Sequence, residues 1–325
     1  LSLFGQLLIA PFLGRKPRPD EEEPRTLPGG GVQRLSRPDG SSLHVESHGP
    51  PDAPVLLFTH GWGLSSAEWF YARRHLADRF RLVLWDLPGL GQSQAPRDHR
   101  YDLTKLAGDL RAVLDVAGPQ PVILCGHSIG GMITLTFCRL FPEQLGHQVV
   151  GLALIHTTSV NPMNTCWGTP WVRSLQNPLV RPLCFITIVL SPLMRVMNGL
   201  SYLNGSAHLT NHLTRFGGRE TRGQLDFIVR LGLRANPAVG ARGMLAMLEY
   251  RETEVLPSIT VPTLVVAANA DKLTLPEASR FIAQNVAHAE EVTLSPAGHL
   301  GLVEQHREWG KAVADFAGRC LAKRF

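Results

Sequence analysis

The chain has 325 residues, of which 44% are hydrophobic, 18% charged and 7% aromatic; this is ample for a buried core and excludes a disordered or fibrous protein. Its formal net charge of +5 raises the question of nucleic acid, but the basic residues, nearly all arginine, are scattered among acids, with no Lys/Arg run, so no nucleic-acid partner is expected. The five cysteines (Cys125, Cys138, Cys166, Cys184 and Cys320) are too far apart for a zinc site and odd in number for a disulfide framework; Cys166 and Cys184 are left open to pairing in an oxidising compartment.

The first stretch, LSLFGQLLIAPFLG, is apolar and uncharged, and RKPR and DEEEP follow it. It is shorter than the roughly 20 residues a bilayer span needs. It reads as the remnant of a trimmed anchor or signal segment, as an amphipathic arm on the protein or on a membrane surface, or as a leader helix packed on the domain. The expected location follows that choice: cytoplasmic, or membrane-associated or exported with the segment trimmed. Residues 1–30 are assigned to this arm and its charged linker.

From residue 31 apolar runs alternate with helical periodicity. SLHVESHG alternates like a half-buried edge strand, whereas PVLLFTHG (54–61), RLVLWD (81–86) and PVILCG (121–126) are continuous apolar runs, the pattern of parallel strands buried on both faces. In DLTKLAGDLRAVLDVAG, Leu103, Leu106, Leu110, Val113, Leu114 and Ala117 share one face behind Asp102 as N-cap. The alternation continues through VVGLALIHT (149–157) and resumes with PTLVVAAN (262–269), EEVTLS (290–295) and a closing helix near 303–321. Right-handed crossovers then give an α/β fold with a mostly parallel sheet covered on both faces.

Residues 158–255 break the pattern. They lack a clear strand and are too long for a structureless loop, so a helical cap is expected there, with 31–157 and 256–325 forming the core. Within the cap, LCFITIVLSPLM is expected to line the underside of a lid; dipping into an interface is its alternative use.

The stretch CGHSIGGM surrounds one serine with glycines. Gly126-His127-Ser128-Ile129-Gly130 fits the G-x-S-x-G nucleophile elbow, with a buried strand before it and a helix after it. Such a turn is tight enough that side chains at the glycine positions would collide with neighbouring backbone. It also sets the hydroxyl beside a helix amino terminus, which favours developing negative charge. A serine hydroxyl needs a base, and the base an orienting acid. In the order Ser, acid, His, the candidates are Asp271, ending TLVVAANAD, and His299, in LSPAGHLGLVEQ, each following a strand. His127 is expected to point away from the serine, Asp86 to organise the turn WDLPGLGQS, and Asp226 to lie in the cap. In FTHGWG, the backbone N–H of Trp62, with that of Ile129, is the candidate oxyanion hole.

Taken in order, HGW, DLPGLGQS, GHSIGG, the AD ending at Asp271 and the GH ending at His299 resemble the α/β-hydrolase superfamily of serine hydrolases, from about residue 40 onward. The resemblance implies an eight-stranded-type sheet with an inserted cap, acyl transfer to water through an acyl-enzyme, and no metal or organic cofactor. The acid loop departs from the pattern, with alanine where many members carry glycine. Serine at 128 sets aside the epoxide hydrolases and dehalogenases of this fold, which use aspartate there. A small-molecule ester with a small to medium apolar acyl chain is the expected substrate. The alternatives are a carbon–carbon bond hydrolase, with Arg173, Arg181 or Arg195 holding a substrate carboxylate; a lipase or monoacylglycerol hydrolase meeting a membrane through arm or cap; and a non-catalytic ligand-binding relative.

Overall fold

The computed structural model describes residues 5–27 and 30–322; the first four residues of the apolar arm, two residues of its linker and the last three of the chain lie outside the described residues. Eight strands form one sheet: β1 (Gly31–Ser36), β2 (Ser42–His48), β3 (Val55–Thr59), β4 (Arg81–Trp85), β5 (Val122–His127), β6 (Val149–Ile155), β7 (Thr263–Ala268) and β8 (Ala289–Leu294). Their spatial order is β1-β2-β4-β3-β5-β6-β7-β8. β2 runs antiparallel to β1 and β4, and the remaining pairs are parallel.

The continuous apolar runs are explained by the period of two along a strand. In β5, Val122 and Leu124 enter one core while Ile123 and Cys125 enter the other; in β3, Val55 and Leu57 part from Leu56 and Phe58 in the same way. Helices Leu103–Val116 and Ile129–Leu140 close one face, and helices Phe70–His75 and His306–Ala322 close the other. Asp102 caps its helix as expected, its carboxylate accepting the Lys105 N–H at 2.9 Å, and the six residues predicted for the apolar face of that helix are all buried.

Two expectations are corrected. SLHVESHG is not an edge strand, because GVQRLS forms β1 outside it through a six-residue antiparallel ladder. The side chains of β1 are almost all exposed, so backbone pairing rather than burial holds it, and it carries no hydrophobic signature. The second correction concerns LCFITIVLSPLM. It spans the helices Arg181–Val189 and Ser191–Leu203, and Leu183, Phe185, Ile186, Val189 and Leu193 face outward rather than lining the underside of a lid.

Between β6 and β7 the described chain is helical with no strand. Helix Arg222–Arg234 begins with a capping box, Thr221 and Gln224 each satisfying the other's backbone N–H. The N-terminal linker is tied along this region and the core: Arg15 N–H donates to the Glu220 carbonyl at 3.0 Å, the Thr221 hydroxyl to Glu23 at 2.7 Å, and Arg307 to Asp20 at 2.8 Å. All five cysteines, Cys166 and Cys184 among them, are free thiols.

Candidate active site

β5 runs directly into the helix Ile129–Leu140, and Ser128 occupies the corner with φ 54° and ψ −118°. Few L-residues adopt positive φ, and a non-glycine held there signals a conformation imposed by its surroundings. Here those surroundings are explicit. Ser128 N–H donates to the Ile155 carbonyl at 2.9 Å, and its own carbonyl accepts the Thr157 hydroxyl at 2.7 Å and the Gly131 N–H at 3.0 Å. A Cβ on Gly126 would lie 2.4 Å from the Gly130 carbonyl carbon, and one on Gly130 would lie 2.2 Å from the Thr59 carbonyl oxygen. The glycines around the serine are a steric requirement of packing this turn between β3 and its own helix.

Ser128, His299 and Asp271 come from three loops that leave the same end of the sheet, and they meet in one chain of hydrogen bonds. His299 Nε2 is 3.0 Å from Ser128 Oγ, and His299 Nδ1 is 2.8 Å from Asp271 Oδ2. Asp271 is buried, and burial pushes its carboxyl up; the charge and hydrogen bond of His299 outweigh this and hold it down at about 2. The Leu273 N–H at 2.8 Å and the Thr274 N–H at 3.0 Å also bind Asp271 Oδ1, and the Thr274 hydroxyl binds Oδ2 at 2.8 Å. The carboxylate therefore has few rotational choices, and Nδ1–H of His299 faces an acceptor fixed in place.

Behind these three residues lies a second buried group that the sequence did not disclose. His127 borders the same cavity as Ser128, and its Nε2 donates to the His299 carbonyl at 3.0 Å. Its Nδ1 lies 2.6 Å from Glu68 Oε1, an ionic contact off the hydrogen-bond axis, while Glu68 Oε2 accepts the Gly61 N–H at 2.8 Å. Burial opposes the charge on Glu68, but the charge and contact of His127 more than offset it, so the carboxyl stays below its ordinary range. One buried ion pair thus fastens the loops that carry Gly61, the elbow and His299.

The same anchoring positions Trp62. Its indole N–H donates to the Gly240 carbonyl at 2.9 Å and its ring occupies the space where a Cβ on Gly243 would fall. The backbone N–H groups of Trp62 and Ile129 donate to no other group among the described residues. Trp62 and Ser128 both line a cavity of about 340 Å³, within the usual size of small-molecule sites. Its walls are mainly apolar, with Met132, Met163, Val172, Met244 and Met247 prominent, and Arg215 brings a charge to them.

Arg173, Arg181 and Arg195 do not line this cavity; Arg181 instead pairs with Glu249. Arg215 does line it, at the end of helix Ser206–Arg215, and its guanidinium has no ion-pair partner among the described residues. It keeps some accessible surface because it faces the cavity, yet protein encloses it, and burial lowers its pKa. Asp86 organises a turn as expected, accepting the Ser66 and Gln92 N–H groups at 2.6 and 2.7 Å, and Asp226 lies in the helical region bound to Tyr202 and Arg230.

A mostly parallel eight-stranded sheet with a strained serine elbow at its carboxyl end defines the class. The family described as alpha/beta hydrolase fold matches residues 54–305, and the chain belongs to it. Among individual proteins, it is 26% identical over 278 residues to the pimeloyl-[acyl-carrier protein] methyl ester esterase of Stenotrophomonas maltophilia, covering 84% of this chain and 96% of that one. A thermophilic esterase from Thermogutta terrifontis has the same fold, with a TM-score of 0.71 at 24% identity over 89% of this chain and 99% of that one. So does the esterase RhEst1 from Rhodococcus sp. ECU1013, with a TM-score of 0.71 at 22% identity, covering 88% and 98%.

Proposed function

We propose that the protein is a serine hydrolase of carboxylic esters, with Ser128 as nucleophile, His299 as general base and acid, and Asp271 as the acid that orients it. Ester hydrolysis as a class fits the family and its esterase relatives. The observation that carries the assignment of roles is the unbroken chain from Ser128 Oγ through both nitrogens of His299 to Asp271.

In this reading His299 Nε2 takes the hydroxyl proton as Ser128 Oγ attacks the ester carbonyl carbon. The negative charge that moves onto the carbonyl oxygen is met by the N–H groups of Trp62 and Ile129. Losing one such donor costs about 3 kcal/mol of transition-state stabilisation. The imidazolium returns its proton to the leaving alcohol, giving an acyl-enzyme; water, deprotonated by the same nitrogen, then releases the acid and restores Ser128. Asp271 keeps the proton on Nδ1, so that Nε2 is the free base.

The apolar walls and modest volume of the cavity suit a small to medium acyl chain. Ser128→Ala, measured with p-nitrophenyl esters of rising chain length, is expected to lower turnover by about 10⁴-fold or more. Unchanged turnover would overturn the assignment. Arg215 favours one second reading, the carbon–carbon bond hydrolase, because it is the arginine placed to hold a substrate carboxylate. A silent ester panel with turnover of a dienoic keto acid would select it.

A further inference from the structure

The outer face of helices Arg181–Val189 and Ser191–Leu203 is a broad apolar surface with no protein against it. Leu183, Phe185, Ile186, Val189, Leu193 and Val196 are exposed, Val189 at 77%. The surface extends in two directions. The preceding turn presents Trp167 and Trp171, the latter 79% exposed. On the other side the helix Gly5–Ile9 packs against Ser191–Leu203 and Ser206–Arg215 and brings exposed Leu7, followed by exposed Phe12. Soluble monomers rarely show contiguous apolar area on this scale. The two helices meet at 100° across Leu190, and no single helix among the described residues is long and apolar enough to cross a membrane. Together the bent pair has the length and composition of a broken span, but its outward apolar face suits a position along an interface.

Charge identifies the partner. From Gln144 to Arg219 the chain contains no Asp or Glu. Arg173 and Arg195 are exposed within this stretch and make no ion pair with the described residues. An apolar face edged with tryptophan and with arginines that make no ion pair, the nearby Glu249 being held by Arg181, has the composition of an element that rests among headgroups. We infer that this face, extended by the N-terminal helix, docks on the surface of an anionic lipid bilayer. A second copy of the chain fits less well: pairing two such faces about a two-fold axis would bring Arg173 and Arg195 of the two copies together while Glu249 is already held by Arg181.

Docking would also place the catalytic cavity next to the lipid. Cys166 and Val172 line that cavity while their chain neighbours Trp167 and Trp171 face outward, so a single segment borders both. This delivery of apolar esters from the bilayer rests on the ester-hydrolase reading; the docking itself does not.

The test uses the full chain carrying Ser128→Ala, so that binding is read apart from turnover, mixed with sedimentable vesicles of phosphatidylcholine alone or with phosphatidylglycerol. The expected result is co-sedimentation with the anionic vesicles, weakened by salt. Each of Arg173→Gln and Arg195→Gln should weaken it about fivefold. The combined Phe185→Ser, Ile186→Ser and Val189→Ser variant should abolish it, and because these side chains are exposed its thermal melting should be unchanged. For the chain without surface substitutions, quenching of tryptophan fluorescence by brominated acyl chains gives an independent readout. Failure to bind either vesicle, equal binding by the triple variant, or a stable dimer in sedimentation velocity that the triple variant dissociates would each overturn the inference. Loss of ester turnover on Ser128→Ala with vesicle binding retained would leave both readings standing, and binding without any ester turnover in the unsubstituted chain would remove only the catalytic one.

Discussion

The carboxylate of Asp271 accepts three protein hydrogen bonds besides that of His299, so replacing it by asparagine changes chemistry more than shape. An amide at that position can present N–H toward Nδ1, which forces the imidazole proton onto Nε2 and leaves no base facing Ser128 Oγ. Asp271→Asn is therefore expected to lower kcat by about 10⁴-fold with little change in KM, measured on a short-chain p-nitrophenyl ester. Arg215 makes the opposite kind of prediction. It brings a charge to an apolar wall with no ion-pair partner among the described residues, the charge of Glu68 acting on it from beyond contact, so it should act in binding rather than in turnover of neutral esters. Arg215→Met should raise KM by about 10–100-fold for esters whose acyl part ends in a carboxylate and leave neutral esters of equal length nearly unchanged. Equal effects on both series would show that Arg215 serves only the fold.

Elements rather than single residues decide how well this site is held. Glu68, from the short turn before helix Phe70–His75, reaches His127 on β5 and Gly61 after β3, and His127 in turn holds the carbonyl of His299. Removing one partner of a buried pair leaves the other charge uncompensated. Glu68→Gln should thus destabilise the protein by about 3–5 kcal/mol in urea denaturation and lower kcat as the His299 loop loosens. Glu304 does similar work for the other side: its buried carboxylate binds the N–H of Gly298, beside His299, and those of Gly217 and Arg219 in the helical region. These long-range ties explain what was legible in the sequence. Ser128 and Asp271 could be read because each follows a strand whose apolar run is continuous, and His299 because it lies in a glycine-containing loop between the last strand and the closing helix; topology alone brings such loops to one sheet end. Glu68 could not, because nothing in SSAEW states which buried histidine it will meet. β1 was missed because GVQRLS is held by its ladder and buries almost nothing. The outward apolar helices misled for the converse reason: periodicity marks a face that shuns water without saying what covers it, and Arg215 was missed because the end of a cap helix has no fixed address relative to the sheet.

At the scale of the whole molecule, burial of histidines sets the response to acid. His156 is buried beside the triad with neither ring nitrogen hydrogen-bonded, and burial drives its pKa from the ordinary 6.5 down to about 3. His306, stacked on Tyr71, is lowered to about 4 by burial and by neighbouring His75. Between these values and 6.5 the unfolded chain binds protons that the folded one refuses, so stability is complete above pH 6.5 and is lost as pH falls through the window. Each fully titrating group gives a slope of about 1.4 kcal/mol per pH unit. Lower down, two carboxylates add to the loss. Burial opposes the charge on Glu46, but its hydrogen bonds to His48 and His44 hold it at about 2, close to Asp271; both contribute stability above their ordinary range and surrender it as pH falls toward 2. Urea denaturation followed from pH 8 to pH 4 should therefore show a plateau and then a decline that begins near pH 6.5. His156→Asn tests the source of that early decline. Asparagine tolerates the positive φ of 46° at this position and cannot take up a proton, so the slope between pH 6.5 and pH 4.5 should fall by about one proton's worth, with His306 and its likewise lowered neighbour His75 supplying the remainder. An unchanged slope would mean that His156 is not excluded from protonation in the folded chain, and that the early acid sensitivity arises elsewhere.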